Sequence, residues 1–178
     1  MKRIQLPLSA KDCLSLHTGD AVLLNGEIYT ARDAAHKRLC QMIERGEKLP
    51  FDLENAVIYY VGPTPARPDQ VIGSAGPTTA SRMDPYVPVL AKQGMRGMIG
   101  KGRRNDAVKK AIKQYHMIYF VTVGGAGALL SHHIIKREPV AFEDLLSEAV
   151  TKLTVQDFPC FVGIDCTGND IYDEKGNE

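Results

Sequence analysis

The run Ala75-Gly76-Pro77-Thr78-Thr79-Ala80-Ser81-Arg82-Met83-Asp84 places a tight Gly-Pro turn, two hydroxyls and one cation just before a stretch that reads as a helix. A helix start offers unpaired N–H groups and a partial positive charge, which suits an anion. Arg82 adds a planar fork that grips a carboxylate through two parallel hydrogen bonds. Two other segments bring cations to turn-like or helix-start positions: Thr30-Ala31-Arg32-Asp33-Ala34-Ala35-His36 and Gly100-Lys101-Gly102. Brought together, the three segments would hold a small dicarboxylate.

Each residue also has a plainer reading. Arg32 and His36 lie four apart and share a helical face, with Asp33 three before His36 and able to orient its ring. They are equally a surface helix start with ordinary charge pairs. Histidine is the side chain best placed to move a proton near neutral pH. Thr78 and Thr79 serve as helix caps, or Thr78 serves as a base if neighbouring cations lower its pKa. Lys101 sits in a solvated basic turn, or its flanking glycines let the ammonium reach into a cleft. Gly124-Gly125-Ala126-Gly127 follows a strand and opens a helix, but it lacks the third glycine of a dinucleotide loop. That leaves Gly125 as a backbone approach to a small anion, or as tight packing. Gly100-Lys101-Gly102-Arg103-Arg104 is too short for a P-loop.

Totals exclude several classes. The chain has 178 residues, 44% of them hydrophobic, and a formal net charge of +1. One domain with its own core is expected over 1–178, with 173–178 as a frayed tail. Bulk charge gives no reason to expect a nucleic acid or a membrane surface as partner. No apolar run approaches the roughly 18 residues of a membrane span, and Met1–Pro7 lacks a secretory apolar region, so a cytoplasmic location is the default. The four cysteines, Cys13, Cys40, Cys160 and Cys166, form no Cys-x-x-Cys pair and have no histidine at zinc-finger spacing. His132 and His133 are consecutive and read as helix surface, not as a metal pair. No metal site is expected in this chain.

These side chains need elements to carry them. Strands are expected at Arg3–Leu8, Asn55–Val61, Gly97–Gly100 and Met117–Val123. Ala21–Thr30 reads as a hairpin turning at Asn25-Gly26. Helices are expected at about Ala31–Arg45, with Thr30 as N-cap and Gly46 as stop, and at Asn105–Tyr115. Pro85 and Pro88 confine Met83–Gln93 to a short or distorted helix, and Gly62–Gly76 is irregular. A helix from Gly127 to about Ile135 and a short one at Ala141–Glu148 follow. Ala149–Val155 and Phe161–Asp165 then read as two strands, broken at Asp157-Phe158-Pro159. A β-rich start and an alternating middle predict an α/β fold of layered sheets in a single domain.

Four motifs in order, Arg-Asp-x-x-His at Arg32–His36, Gly-Pro-Thr-Thr-x-x-Arg-Met at Gly76–Met83, Gly-Lys-Gly at Gly100–Gly102 and Asp-x-x-Gly-Asn at Asp165–Asn169, resemble the β-subunit family of iron–sulfur hydro-lyases. That family holds the β subunit of class I fumarase, the matching C-terminal domain of single-chain class I fumarases, and the β subunit of L(+)-tartrate dehydratase. The resemblance runs from Leu6 to Tyr172. It implies a swivelling β/β/α domain and reversible hydration of fumarate to L-malate. It also implies a hetero-oligomer in which a partner α subunit holds a [4Fe-4S] cluster, whose open iron would act as a Lewis acid. Arg32, Arg82 and Lys101 would contact substrate together with Thr79 and Gly125. Thr78 matches a base suggested in fumarases and His36 a group proposed in tartrate dehydratases, and both assignments stay open. The Gly124-Gly125-Ala126 turn is more similar to fumarases. Dehydration of tartrate or another hydroxy-dicarboxylate, and a non-catalytic anion-binding module, remain as alternatives.

Overall fold

The computed structural model describes residues 1–122 and 126–173. Five strands run parallel and side by side: β1 (Lys2–Gln5), β2 (Ala21–Thr30), β3 (Val57–Tyr59), β4 (Gly97–Gly100) and β5 (Ile118–Val121). Parallel neighbours need crossovers, and these carry α1 (Ala10–Ser15), α2 (Asp33–Glu44), a 3-10 helix (Ala80–Tyr86) running into α3 (Val87–Lys92), and α4 (Asp106–Tyr115). After α5 (Gly127–Ser131) come β6 (Ile134–Ala141), a 3-10 segment (Glu143–Glu148) and β7 (Val150–Ile164). β7 pairs antiparallel with β2, β5 and β6. Because it meets both β5 and β2, the sheet closes on itself.

Strand alternation divides the core in two. Val57, Tyr59, Ile99, Ile118 and Phe120 face inward toward Leu24, Ile28, Leu153 and Phe158. Their neighbours Ile58, Met98, Tyr119 and Val121 face outward onto Ala35 and Leu39 of α2, Leu90 of α3 and Val108 and Ile112 of α4. Strands buried on both faces read as continuous apolar runs, which is why β3, β4 and β5 were legible. The layered α/β expectation holds: strands pack on strands inside, and helices cover the outer face.

Several local expectations change. Asn25-Gly26 is not a hairpin turn. β2 runs straight through it, and the register against β7 slips between Leu24 and Gly26. Asp157, expected to break a strand, faces Asn25 in one unbroken fifteen-residue strand. The Asn25 side chain accepts a hydrogen bond from Asp157 N (2.9 Å) and donates one to Asp157 Oδ1 (3.1 Å). Gly26 at φ +126° and Asp157 at φ +47° absorb the extra residue. Two turn signals thus meet across a ladder as a β-bulge.

Thr30 does not cap α2; Arg32 occupies that position. The Thr30 hydroxyl instead donates to Ala149 O (3.2 Å) and accepts from Thr151 N (3.1 Å), tying β2 to β7. The helix after Gly127 stops at Ser131, and Ile134–Ala141 is an edge strand carrying Lys136, Arg137, Glu138 and Pro139, residues that discourage further strand pairing. His132 and His133 sit in the turn between them. α1 was not expected, although Ser9-Ala10-Lys11-Asp12 carries its signature. Ser9 Oγ accepts from Asp12 N and Asp12 Oδ2 accepts from Ser9 N, both at 3.0 Å, a reciprocal capping box.

Candidate functional site

The carboxyl ends of β2, β3 and β4 lie side by side, and the three cation-bearing segments begin there. In parallel α/β sheets, closed as well as open, ligands gather outside these ends. Thr30 closes β2 and Arg32 follows two residues on, at the N-cap of α2 with no side-chain cap bond. Tyr60 follows β3, and its carbonyl accepts Thr78 N at 2.8 Å. Lys101 follows β4 and bridges to Thr79, with Ala80 N donating to Lys101 O at 2.9 Å. Sequence-distant segments therefore meet through backbone hydrogen bonds.

Side chains complete the join. Arg82 Nη2 donates to Asp33 Oδ1 at 3.0 Å, linking the Ala80–Tyr86 helix to the first turn of α2. Both side chains are about half exposed, at 48% and 43%. Arg32 lies against Gly62, where a Cβ would fall 2.8 Å from Arg32 Nη1 and 3.0 Å from its Cδ, so a side chain at this point of the loop after β3 would displace the arginine. Arg32 Nε is buried without a hydrogen-bond partner. Among the described residues neither Arg32 nor Lys101 has an ion-pair partner. Two uncompensated cations and one compensated one thus share an edge.

His36 lies beneath them, fully buried between the Tyr60 and Tyr86 rings, with centroids 5.4 and 5.8 Å away. Its Nδ1 is 2.8 Å from Arg32 O. A carbonyl only accepts, so Nδ1 carries the proton and Nε2 a lone pair. Nε2 has no partner. Burial pushes the imidazole pKa down to about 4, against the Arg32 carbonyl bond, which raises it. Asp33, expected to orient this ring, instead holds Arg82.

Thr79 is the N-cap of its 3-10 helix without a side-chain cap bond. It is exposed, and Thr78 partly so. Gly125 lies outside the described residues. Gly127, two residues on, meets the Gly-Pro segment: Ala75 N donates to Gly127 O at 3.2 Å. Asp165-Cys166-Thr167-Gly168-Asn169 serves a different purpose. The buried Asp165 carboxylate accepts from Thr18 N and Oγ1, Thr167 N and Oγ1, and Asn169 N, at 2.6–3.2 Å. Burial raises its pKa, but these donors outweigh that and hold it below the ordinary value. It is a structural knot after β7.

Sequence reasoning missed Tyr60, Asp84 and Arg104. Arg104 Nε donates to Asp84 Oδ1 at 2.6 Å and Nη2 donates to Tyr60 Oη at 3.1 Å, all buried. Only the third dimension brings these residues together; the signal in the chain is an Arg103-Arg104 pair that reads as solvated charge.

Among the described residues no group of three or more His, Cys, Asp or Glu could hold a metal. Burial pushes the Cys13 thiol up to about 12, that of Cys40 up to about 11, and that of Cys160 higher still. No helix among the described residues is long and apolar enough to cross a membrane.

A family model described as Fumarase C-terminus matches residues 1–175. The putative L(+)-tartrate dehydratase subunit beta of Methanocaldococcus jannaschii is 39% identical over 173 residues, covering 94% of this chain and 89% of its own length. Fumarate hydratase 2 of Leishmania major is 40% identical over 156 residues, 86% of this chain but 28% of that one. The aerobic class I fumarate hydratase of Salmonella typhimurium is 42% identical over 153 residues, 85% of this chain and 26% of that one. The chain thus spans a little over a quarter of these two fumarate hydratases.

Proposed function

The chain belongs to the Fumarase C-terminus family, and from that premise we propose that it is the β subunit of a two-subunit [4Fe-4S] hydro-lyase that reversibly hydrates fumarate to L-malate. One observation carries the reading: Arg32 and Lys101, without carboxylate partners among the described residues, stand with Arg82 at the adjoining carboxyl ends of β2, β3 and β4. A four-carbon diacid supplies the missing negative charge.

Removing the C3 proton of malate leaves a carbanion delocalised into the neighbouring carboxylate, which gains charge. Cations aimed at that carboxylate stabilise this species more than the ground state. Arg82 offers two parallel donors and is held in place by Asp33; Arg32 offers the charge of a guanidinium that has no ion-pair partner among the described residues; Lys101 offers a point charge. The reading gives Thr78 the C3 proton, because it lies at the partly exposed edge beside these cations, which favour its alkoxide. His36, wholly buried, positions Arg32 by donating to its carbonyl.

The cluster is assigned to the partner, since among the described residues of this chain no three metal-ligating side chains come together. The partner is expected on physical grounds as well. The Arg82–Asp33 pair is half in water, and electrostatic stabilisation needs a dry site. The covering surface must come from a second chain, or from the remaining three quarters of the relatives that are longer. A cytoplasmic location accords with this reading.

Dehydration of L(+)-tartrate is the second reading, favoured by one fact: the relative whose length this chain nearly spans is named a tartrate dehydratase subunit beta. Assays of the chain alone and with a cluster-bearing α subunit test both. The expected results are no turnover alone, fumarate hydration on reconstitution, and a kcat/KM for fumarate at least tenfold above that for tartrate. The reverse ratio selects the second reading; inertness toward both diacids refutes the enzyme.

A further inference from the structure

Resting on that reading of the site, we propose that Arg104 and Asp84 form a positioning clamp that fixes the Arg82 segment against the Lys101 segment. Asp84 stands two residues after Arg82 and Arg104 three after Lys101. Their side chains are 6% and 0% exposed, so neither touches substrate. Arg104 reaches several groups at once. Its Nε donates to Asp84 at 2.6 Å and its Nη2 to the Tyr60 hydroxyl at 3.1 Å, and its guanidinium lies over the rings of Tyr60 and Tyr119, at 5.2 and 4.7 Å. The second Asp84 oxygen accepts from Asn105 N at 2.9 Å, the N-cap of α4.

Each partner in turn holds a piece of the site. Tyr60 O accepts from Thr78 N, and the Tyr60 ring edge lies against His36. Tyr119 Oη donates to Gly102 O at 2.9 Å, one residue past Lys101. The clamp thereby ties together the loops after β3 and β4 and the Ala80–Tyr86 helix.

Stability alone does not call for such a pair, because well-packed apolar residues often replace a buried ion pair at no loss. A guanidinium fork has fixed directions, whereas an apolar contact has none. The charge is therefore retained for alignment.

Three variants test this in the two-subunit enzyme: Arg104→Met, Asp84→Leu, and the two together. Each single change strands a buried charge and lowers the melting temperature. The double change removes both charges and recovers most of the loss, short of the partners that Asn105 N and the Tyr60 hydroxyl give up. The clamp predicts that the double variant, though stable, still exchanges its Thr78 and Ala80 amide protons at least tenfold faster than wild type. It also predicts a kcat for fumarate at least tenfold lower, with KM changed less. A double variant with wild-type amide protection and wild-type kcat overturns the clamp. Wild-type enzyme inert toward both diacids refutes the proposed function instead, and the exchange rates still report on the clamp.

Discussion

Arg82 and His36 show how burial sets what a charge can do. The Arg82–Asp33 pair is half exposed, so it contributes at most about 1 kcal/mol to folding. Its value lies in aim. Arg82→Ala is expected to lower kcat about 10²–10³-fold, the usual loss of one oxyanion donor, with a stability change under about 1 kcal/mol. Turnover and urea midpoints on the same preparation check both halves. His36 is the opposite case. Folded, its pKa lies near 4; unfolded, near the ordinary 6.5. Between those values the unfolded chain binds a proton that the folded chain does not, so acid favours unfolding. Stability attributable to this ring is intact above pH 6.5 and falls by about 1.4 kcal/mol per unit as pH drops toward 4. Urea unfolding across that window reads the slope. His36→Asn, which keeps a donor for Arg32 O and does not titrate, should flatten it; an unchanged slope would assign the effect to other groups.

At the scale of elements, what was legible depended on whether the cause was local. Apolar runs gave β3, β4 and β5, and the helix expected at Asn105–Tyr115 is α4, with the Asn105 side-chain oxygen accepting from Val108 N at 3.0 Å. Asn25-Gly26 announced a chain reversal and Asp157-Phe158-Pro159 a break between strands, yet β2 and β7 each run on through them. What the sequence could not display is that they face each other 132 residues apart, which turns a reversal and a break into one bulge. Gly26 is needed there on two counts. Its φ is +126°, and a Cβ would fall 2.9 Å from Leu6 Cβ. Gly26→Ala should cost more than about 1 kcal/mol in a urea titration; a neutral substitution would mean that the bulge is free to relax. Site segments followed the same rule. Arg32, Thr78, Arg82 and Lys101 stand in local motifs and were named from them. Tyr60, Asp84 and Arg104 were not, because their pairing is entirely long-range and Arg104 resembles any surface cation until its burial is seen.

For the whole molecule, topology explains why the cations gather. Parallel β2, β3 and β4 point their carboxyl ends the same way, so each crossover begins at one edge and delivers its first residues there. The α/β layering follows from strands apolar on both faces; closure through β7 follows from a strand long enough to reach β2, β5 and β6. A cavity of about 500 Å³ lies instead near the start of β3, lined by Glu27, Asp52, Glu54 and Asn55, where like charge would repel a diacid. The proposed site is an edge awaiting a cover, and the family's longer members carry further chain. A crystal structure of this chain with the proposed cluster-bearing α subunit and L-malate decides whether the three cations form one site. The account predicts malate carboxylates within hydrogen-bond distance of Arg32, Arg82 and Lys101; malate seated elsewhere, touching none of the three, would contradict it.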